Sequence, residues 1–211
     1  QSPSLSPFSP DAKSSGRRAL RNAALTLLTA RGAADDLARL ESHYFCATNM
    51  TEAAHALNLL SHHDVGARAK AMAHFYERWH KDHLVIDTWF AAQAQSSLPR
   101  ALEDVRSLTS HPLFKLTTPN KVRALIGTFA MGNPLQFNRP DGEGYGFVAS
   151  KVLEIDAVNP QVAARLLASF RSSKALEPGR RAKAEEALRT VAGSERISRD
   201  VSEIVLRMLE P

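Results

Sequence analysis

One spacing recurs along this chain and leaves few folds open to it. Val122, Leu125, Ile126 and Phe129 fall at offsets zero, three, four and seven. The same offsets relate Ala163, Leu166, Leu167 and Phe170, then Ala184, Ala187, Leu188 and Val191, and again Val201, Ile204, Val205 and Met208. Such spacing places each set on one face of an α-helix, and each is read as a buried face. Sustained alternation, the mark of a half-buried strand, is absent. The one β-leaning piece, Leu84 to Ile86, is too short to outweigh its surroundings.

Helix starts carry their own marks. Thr118 precedes Pro119 and Asn159 precedes Pro160, a cap followed by the position that tolerates proline. Asn49 stands three before Glu52, the spacing of a capping box. Asp64 is placed to cap a helix running toward Trp79, Asp82 to start another, and Pro178 to open one more. Gly32, Gly66, Gly132 and Gly193 fall near the breaks.

The expectation is an all-α fold of ten or eleven helices joined by short turns, each packing antiparallel to its neighbour. That is too many for one simple bundle. It points to an irregular right-handed stack of antiparallel helix pairs, solenoid-like in the manner of armadillo or HEAT repeats, without a fixed period. At 211 residues the chain is long enough for a sizeable core. Residues 1–10, rich in Ser and Pro and starting at Gln1, read as a linker or the cut edge of a longer protein. Residues 11–211 read as a single helical domain. The stretch Gly132 to Gly144 reads as the longest non-helical segment and, on that ground, as a functional candidate. Within it, the Asp-Gly-Glu-Gly-Tyr run from Asp141 reads as a turn into a helix.

Composition removes several classes of function. No run of apolar residues is long enough to span a membrane. Cys46 is the only cysteine, so no internal disulfide can form; a reducing cytoplasm fits, and Cys46 is expected as a small buried hydrophobe. The net charge of +5 is mild, and the densest basic stretch, Arg171 to Arg189, contains no aromatic residue, which argues against nucleic acid. Phe75, Tyr76, Trp79, Trp89, Phe90 and Met72 read as core rather than as a ligand box.

Catalytic motifs are missing too. No His is followed by Glu, so the zinc-binding H-E-x-x-H is absent, and no metal ligands are assigned. The eight histidines read as scattered surface residues. No G-x-S-x-G occurs, His43 lies three before Cys46 but without further support, and no catalytic residue is assigned. Gly142, Gly144 and Gly146 alternate without a preceding strand, so they do not form a phosphate cradle. From the residues alone, the chain reads as a helical scaffold or interaction domain.

An ordered series of short motifs goes further. It begins with Gly16-Arg17-Arg18-Ala19-Leu20-Arg21-Asn22 and Asn49-Met50-Thr51-Glu52-Ala53, then Trp79-His80 and the run from Leu84 to Phe90. It continues with Thr118-Pro119-Asn120-Lys121-Val122-Arg123 through Phe129, Asn133-Pro134, the run from Asp141 to Tyr145, and Asn159-Pro160-Gln161-Val162-Ala163-Ala164-Arg165-Leu166. In that order the set resembles the C-terminal helical domain of the bacterial aminopeptidase N family, gluzincin zinc peptidases.

The resemblance implies an accessory domain that closes over the catalytic site, shapes the substrate cavity and controls access. The zinc and the G-x-M-E-N motif would belong to the parent enzyme's catalytic domain; Ala130-Met131-Gly132-Asn133 echoes that motif only superficially. Partners would be that catalytic domain and a peptide substrate, with self-association if a docking face is bare. The isolated chain would be inactive. Arg123 and Arg165 match arginines that face the family's cavity, so the resemblance implies that they receive the far end of the peptide. Read as residues alone, both fit surface or intra-domain salt bridges better than a cavity role. A free-standing helical scaffold that binds other proteins is the alternative function.

Overall fold

In the computed structural model, residues 8–210 are described, so most of the expected linker, 1–10, lies outside the described residues. The described residues are helical with short connections, and no strand occurs among them. The chain divides into two compact units, one up to Leu98 and one from Pro99 onward.

The first unit holds α1 (Ala12–Thr29), α2 (Ala34–Phe45), α3 (Met50–Ser61), α4 (Gly66–Trp79) and α5 (Ile86–Ala94). The turns 30–33, 46–49 and 62–65 are short, so helices adjacent in sequence are adjacent in space. Helix α2 packs on α3 and α4, and α3 also touches α1 and α5. Leu40, Leu57, Leu60, Phe75, Ile86 and Phe90 fill the core. Each such burial is worth about 1.5–3 kcal/mol. Trp89 is buried as well, and its indole N–H donates to the Met72 carbonyl at 3.1 Å. Tyr76 and Trp79, expected in the core, are only half-buried.

The starts follow the sequence marks with local differences. Asn49 Oδ1 accepts from the Glu52 N–H at 3.1 Å, and its Nδ2 donates back to Glu52 Oε2 at 2.8 Å. The reciprocal bond thus runs side chain to side chain rather than to the backbone. The α4 cap position falls on Val65, one residue past Asp64. Asp82 Oδ1 accepts from the N–H groups of Leu84 and Val85, so the β-leaning piece is a turn that feeds α5. Cys46 is exposed rather than buried, because it ends α2 at a turn with no helix packed over it.

Some histidines depart from the surface placement expected, while His74 and His83 are exposed as expected. His43 is buried, and His55 and His62 are half-buried, where neighbouring helices cover their rings. His55 Nε2 donates to the Asn22 carbonyl at 3.0 Å. His62 Nδ1 accepts the Ser97 N–H at 3.2 Å, a bond that a proton on Nδ1 would abolish. Burial holds all three below the free value of 6.5.

A base held low in the fold takes up its proton first in the unfolded chain. The stability it lends is therefore complete above about pH 6.5 and is lost as pH falls toward the folded value. Urea unfolding followed by the fluorescence of Trp79 and Trp89, both in this unit, should show a midpoint that drops between about pH 7.5 and about pH 5.5. The drop should be shallower in His62→Gln, whose amide oxygen accepts the same N–H without titrating. A flat midpoint would show that folding does not perturb these rings.

The second unit begins with α6 (Ala101–Leu108) and a continuous helix from 119 to 132, made of α7 (Pro119–Val122), a π segment (Arg123–Gly127) and α8 (Thr128–Gly132). It continues with α9 (Pro134–Phe137), α10 (Glu143–Asp156), α11 (Pro160–Leu166) running into a 3-10 segment (Leu167–Ala175), α12 (Pro178–Ala192) and α13 (Arg199–Leu209). Counting 119–132 and 160–175 each as one helix gives twelve among the described residues. Helix α10 is central, packed by α11 and α12, while α13 lies on α11 and α12. Asp156 ties the end of α10 to the start of α13 by accepting the Ser198 N–H at 2.6 Å.

The Gly132–Gly144 segment is not the long loop expected. Asn133 caps α9 within it, leaving only 138–142 outside helices, and the longest such stretch among the described residues is 109–118. The short loop is pinned from α12: Arg180 Nε donates to the Asn138 carbonyl at 2.7 Å, and Lys183 Nζ to that of Pro140 at 2.5 Å. Gly142 takes φ +81°, a left-handed turn into α10. At Gly144 a Cβ would lie 2.4 Å from the Phe137 carbonyl oxygen, so only glycine lets α10 meet α9.

Candidate functional site

The two arginines singled out by resemblance stand in different local settings. Arg123 opens the π segment, where the Thr128 N–H reaches back five residues to the Arg123 carbonyl and Thr128 Oγ1 bonds the same oxygen at 3.1 Å. Such bulges recur at functional sites because they re-aim one residue of an otherwise regular helix. The buried face survives: Val122, Leu125, Ile126 and Phe129 are all fully buried. Arg123 is exposed, and its Nη1 donates to Asn120 Oδ1 at 2.7 Å. A Cβ at Gly127 would make only an ordinary contact, 3.9 Å from Leu166 Cδ2, so the approach of this helix to α11 does not depend on glycine there.

Arg165 ends α11 on the solvent side and lines a groove of about 410 Å³. One wall carries Ala164, Arg165, Ala168 and Arg171; α13 supplies Ile204, Arg207 and Met208. Arg207 is paired with Glu203 at 2.9 Å. Among the described residues, no carboxylate pairs with Arg165 or Arg171. Arg123 does not line this groove, so the structure does not gather the two arginines into one pocket. Ile204 and Met208, expected in the core, are only half-buried and line the groove, while Val201 and Val205 alone face inward.

The 3-10 segment explains the wall. Three residues per turn stack every third side chain in a column. Leu167, Phe170 and Ser173 form the buried column. Arg165, Ala168, Arg171 and Lys174 form the outer one, with Lys174 donating to the Glu210 carbonyl. Sequence reasoning missed Arg171; its signal was the spacing of six from Arg165, two steps of three through Ala168.

Among the described residues, no three His, Cys, Asp or Glu are gathered to hold a metal, so the donor set does not fit zinc. His43 and Cys46 share no hydrogen bond among the described residues. In the first unit, a smaller groove of about 160 Å³ is lined by Arg21, Leu25, Leu28, Arg39 and His43, but Arg21 is committed to Glu52 at 2.5 Å. No described helix is long and apolar enough to cross a membrane.

An all-helical stack of this kind, with a basic groove along one helix pair, has the architecture of an armadillo-type repeat module. The chain belongs to the family described as domain of unknown function DUF3458_C, ARM repeats, whose family model matches residues 1–210. It is 46% identical over 160 residues to aminopeptidase N of Caulobacter vibrioides, covering 76% of this chain and 18% of that protein. With aminopeptidase N of Escherichia coli it shares 36% identity over 195 residues, 92% of this chain and 22% of the relative.

Among solved structures it superposes on Legionella pneumophila aminopeptidase A, determined in complex with aspartic acid. The TM-score is 0.86 at 29% identity, over 97% of this chain and 25% of that one. The chain thus spans no more than a quarter of the relatives it matches. The resemblance to the C-terminal helical domain of bacterial aminopeptidase N stands.

Proposed function

We propose that this chain is the C-terminal accessory domain of a zinc aminopeptidase that works in the cytoplasm, removing N-terminal residues from peptides. The domain closes over the catalytic site, shapes the cavity and limits access, while zinc and the reacting groups reside in the catalytic domain of the parent enzyme. Alone it is inactive. Leu20, Leu27 and Leu28 on α1 are 73%, 79% and 51% exposed, an apolar surface on which a partner could dock. Separated from that partner, this surface would favour self-association.

The observation that carries the peptide-receiving role is Arg165 itself, exposed on a groove wall with no acid paired to it among the described residues. A planar, permanently charged fork suits the carboxylate at a peptide's far end. Arg123, held by Asn120, offers a second such fork.

In the parent enzyme, Arg123→Ala and Arg165→Ala should each raise KM for short peptides by roughly tenfold or more. Hydrolysis of an alanyl chromogenic substrate, which has no far carboxylate, should change by less than about twofold. Equal effects on both substrates would remove the carboxylate role.

A further inference from the structure

The 3-10 segment is unusual in length. Runs beyond three or four residues are uncommon because their hydrogen bonds are poorly aligned; here the segment extends over nine, Leu167–Ala175. Its consequence is geometric. In a continuing α-helix, Arg171 would be turned about 120° away from Arg165. With the tighter pitch from Leu167 onward the two come within about 40° of one edge, about 11 Å apart along the axis. Ala168 between them is small and leaves a floor open between the two guanidinium groups. Across that floor stand Ile204 and Met208, so the groove is apolar in the middle and cationic at both ends.

Two cations without acidic partners at the ends of an apolar trough call for a complementary ligand. We propose that this groove binds acidic peptide segments in which two carboxylates four residues apart, on one face of an extended chain, bridge Arg165 and Arg171 around an apolar side chain midway between them. The spacing follows from an extended peptide rising about 3.3 Å per residue. The apolar side chain rests on Ala168, Ile204 and Met208. Arg207 is satisfied by Glu203 and Lys174 by the Glu210 carbonyl, so neither competes for the ligand. The proposal deepens the reading of Arg165 given above by adding Arg171 as a residue that selects substrates with a second acid. It rests on that reading only for its link to peptide hydrolysis.

The test is a fluorescence-anisotropy titration of the whole 211-residue chain with a labelled Gly-Glu-Ala-Leu-Ala-Glu-Gly peptide, amidated at its C-terminus, at about 0.15 M salt. Comparison peptides carry Gln for either Glu, or Ser for Leu. Each Gln replacement, Arg165→Ala and Arg171→Ala should weaken binding roughly tenfold, and the Ser replacement should weaken it less. Arg17→Ala, an exposed arginine of the first unit, should leave binding unchanged. Far-UV circular dichroism checks that each variant is folded.

Binding lost with Arg165→Ala but untouched by Arg171→Ala would reduce the groove to a single-carboxylate site and overturn the proposal. Equal weakening by Arg17→Ala would reveal unspecific charge attraction and overturn it too, as would no binding at all. Because the titration needs no hydrolysis, a negative result for the peptidase reading leaves this result standing on its own.

Discussion

Phe129→Ala is expected to destabilise the second unit by about 3–5 kcal/mol, the usual cost of emptying an aromatic site in a packed core. Phe129 is fully buried and meets Phe147 edge to face, with ring centroids 5.7 Å apart. It sits just past the π segment on the continuous helix 119–132, whose other inward residues, Val122, Leu125 and Ile126, are also fully buried. A wall buried on this scale cannot collapse into the space a phenyl ring leaves, so the cavity cost adds to the lost transfer energy. Urea unfolding followed by far-UV circular dichroism should show a lower midpoint at an unchanged slope. Tryptophan fluorescence is the wrong probe, because Trp79 and Trp89 both lie in the first unit. An unchanged midpoint for the second unit would show that this face is not core.

Most of the helix framework was legible in the sequence, because a buried α face must repeat at 3.6 residues. The sets from Val122 and from Ala184 are buried as their offsets require. Caps at Asn49 and Asn159 were legible for a related reason: a short polar side chain there meets the third following N–H, and both do so. Thr118 holds the expected position but makes no side-chain cap.

What escaped was local helix pitch. Offsets of three look alike in α and 3-10 helices, so the pairs Ala163–Leu166 and Leu167–Phe170 concealed the change of pitch after Leu166. The π segment left the apolar spacing of its helix intact and so was equally silent. Both irregularities fall at the arginines of interest, which is why resemblance could name Arg123 and Arg165 while Arg171 stayed hidden. Burial of His43 and exposure of Cys46 depend on which other helix covers them, a tertiary fact that no local pattern records. Ile204 and Met208 escaped for the same reason: their helical face is real, but α11 and the 3-10 segment cover only part of it.

Glu52→Ala should cost the first unit roughly 3 kcal/mol, the lower end of what breaking a buried ion pair costs. The Glu52 side chain is 0% exposed and its partner Arg21 19% exposed, joining α3 to α1. Pairing in place of hydration makes each charge tolerable inside the unit, and removing the acid strands the other. Arg21 has little reserve, since its Nε already has no hydrogen-bond partner. The remaining exposure lets water reach the guanidinium in part, which sets the estimate at the low end.

Two features separate this effect from simple helix loss. In the cap bond Asn49 Oδ1 accepts from the backbone N–H of residue 52, so it survives the truncation, and α3 should keep its start. Damage should appear where α1 meets α3, as faster amide exchange along α1. The double variant Arg21→Met with Glu52→Leu should recover most of the loss, because neither charge is then buried. Were Glu52→Ala as stable as the parent in urea, with tryptophan fluorescence as the probe, the pair would contribute specificity of packing and no net stability.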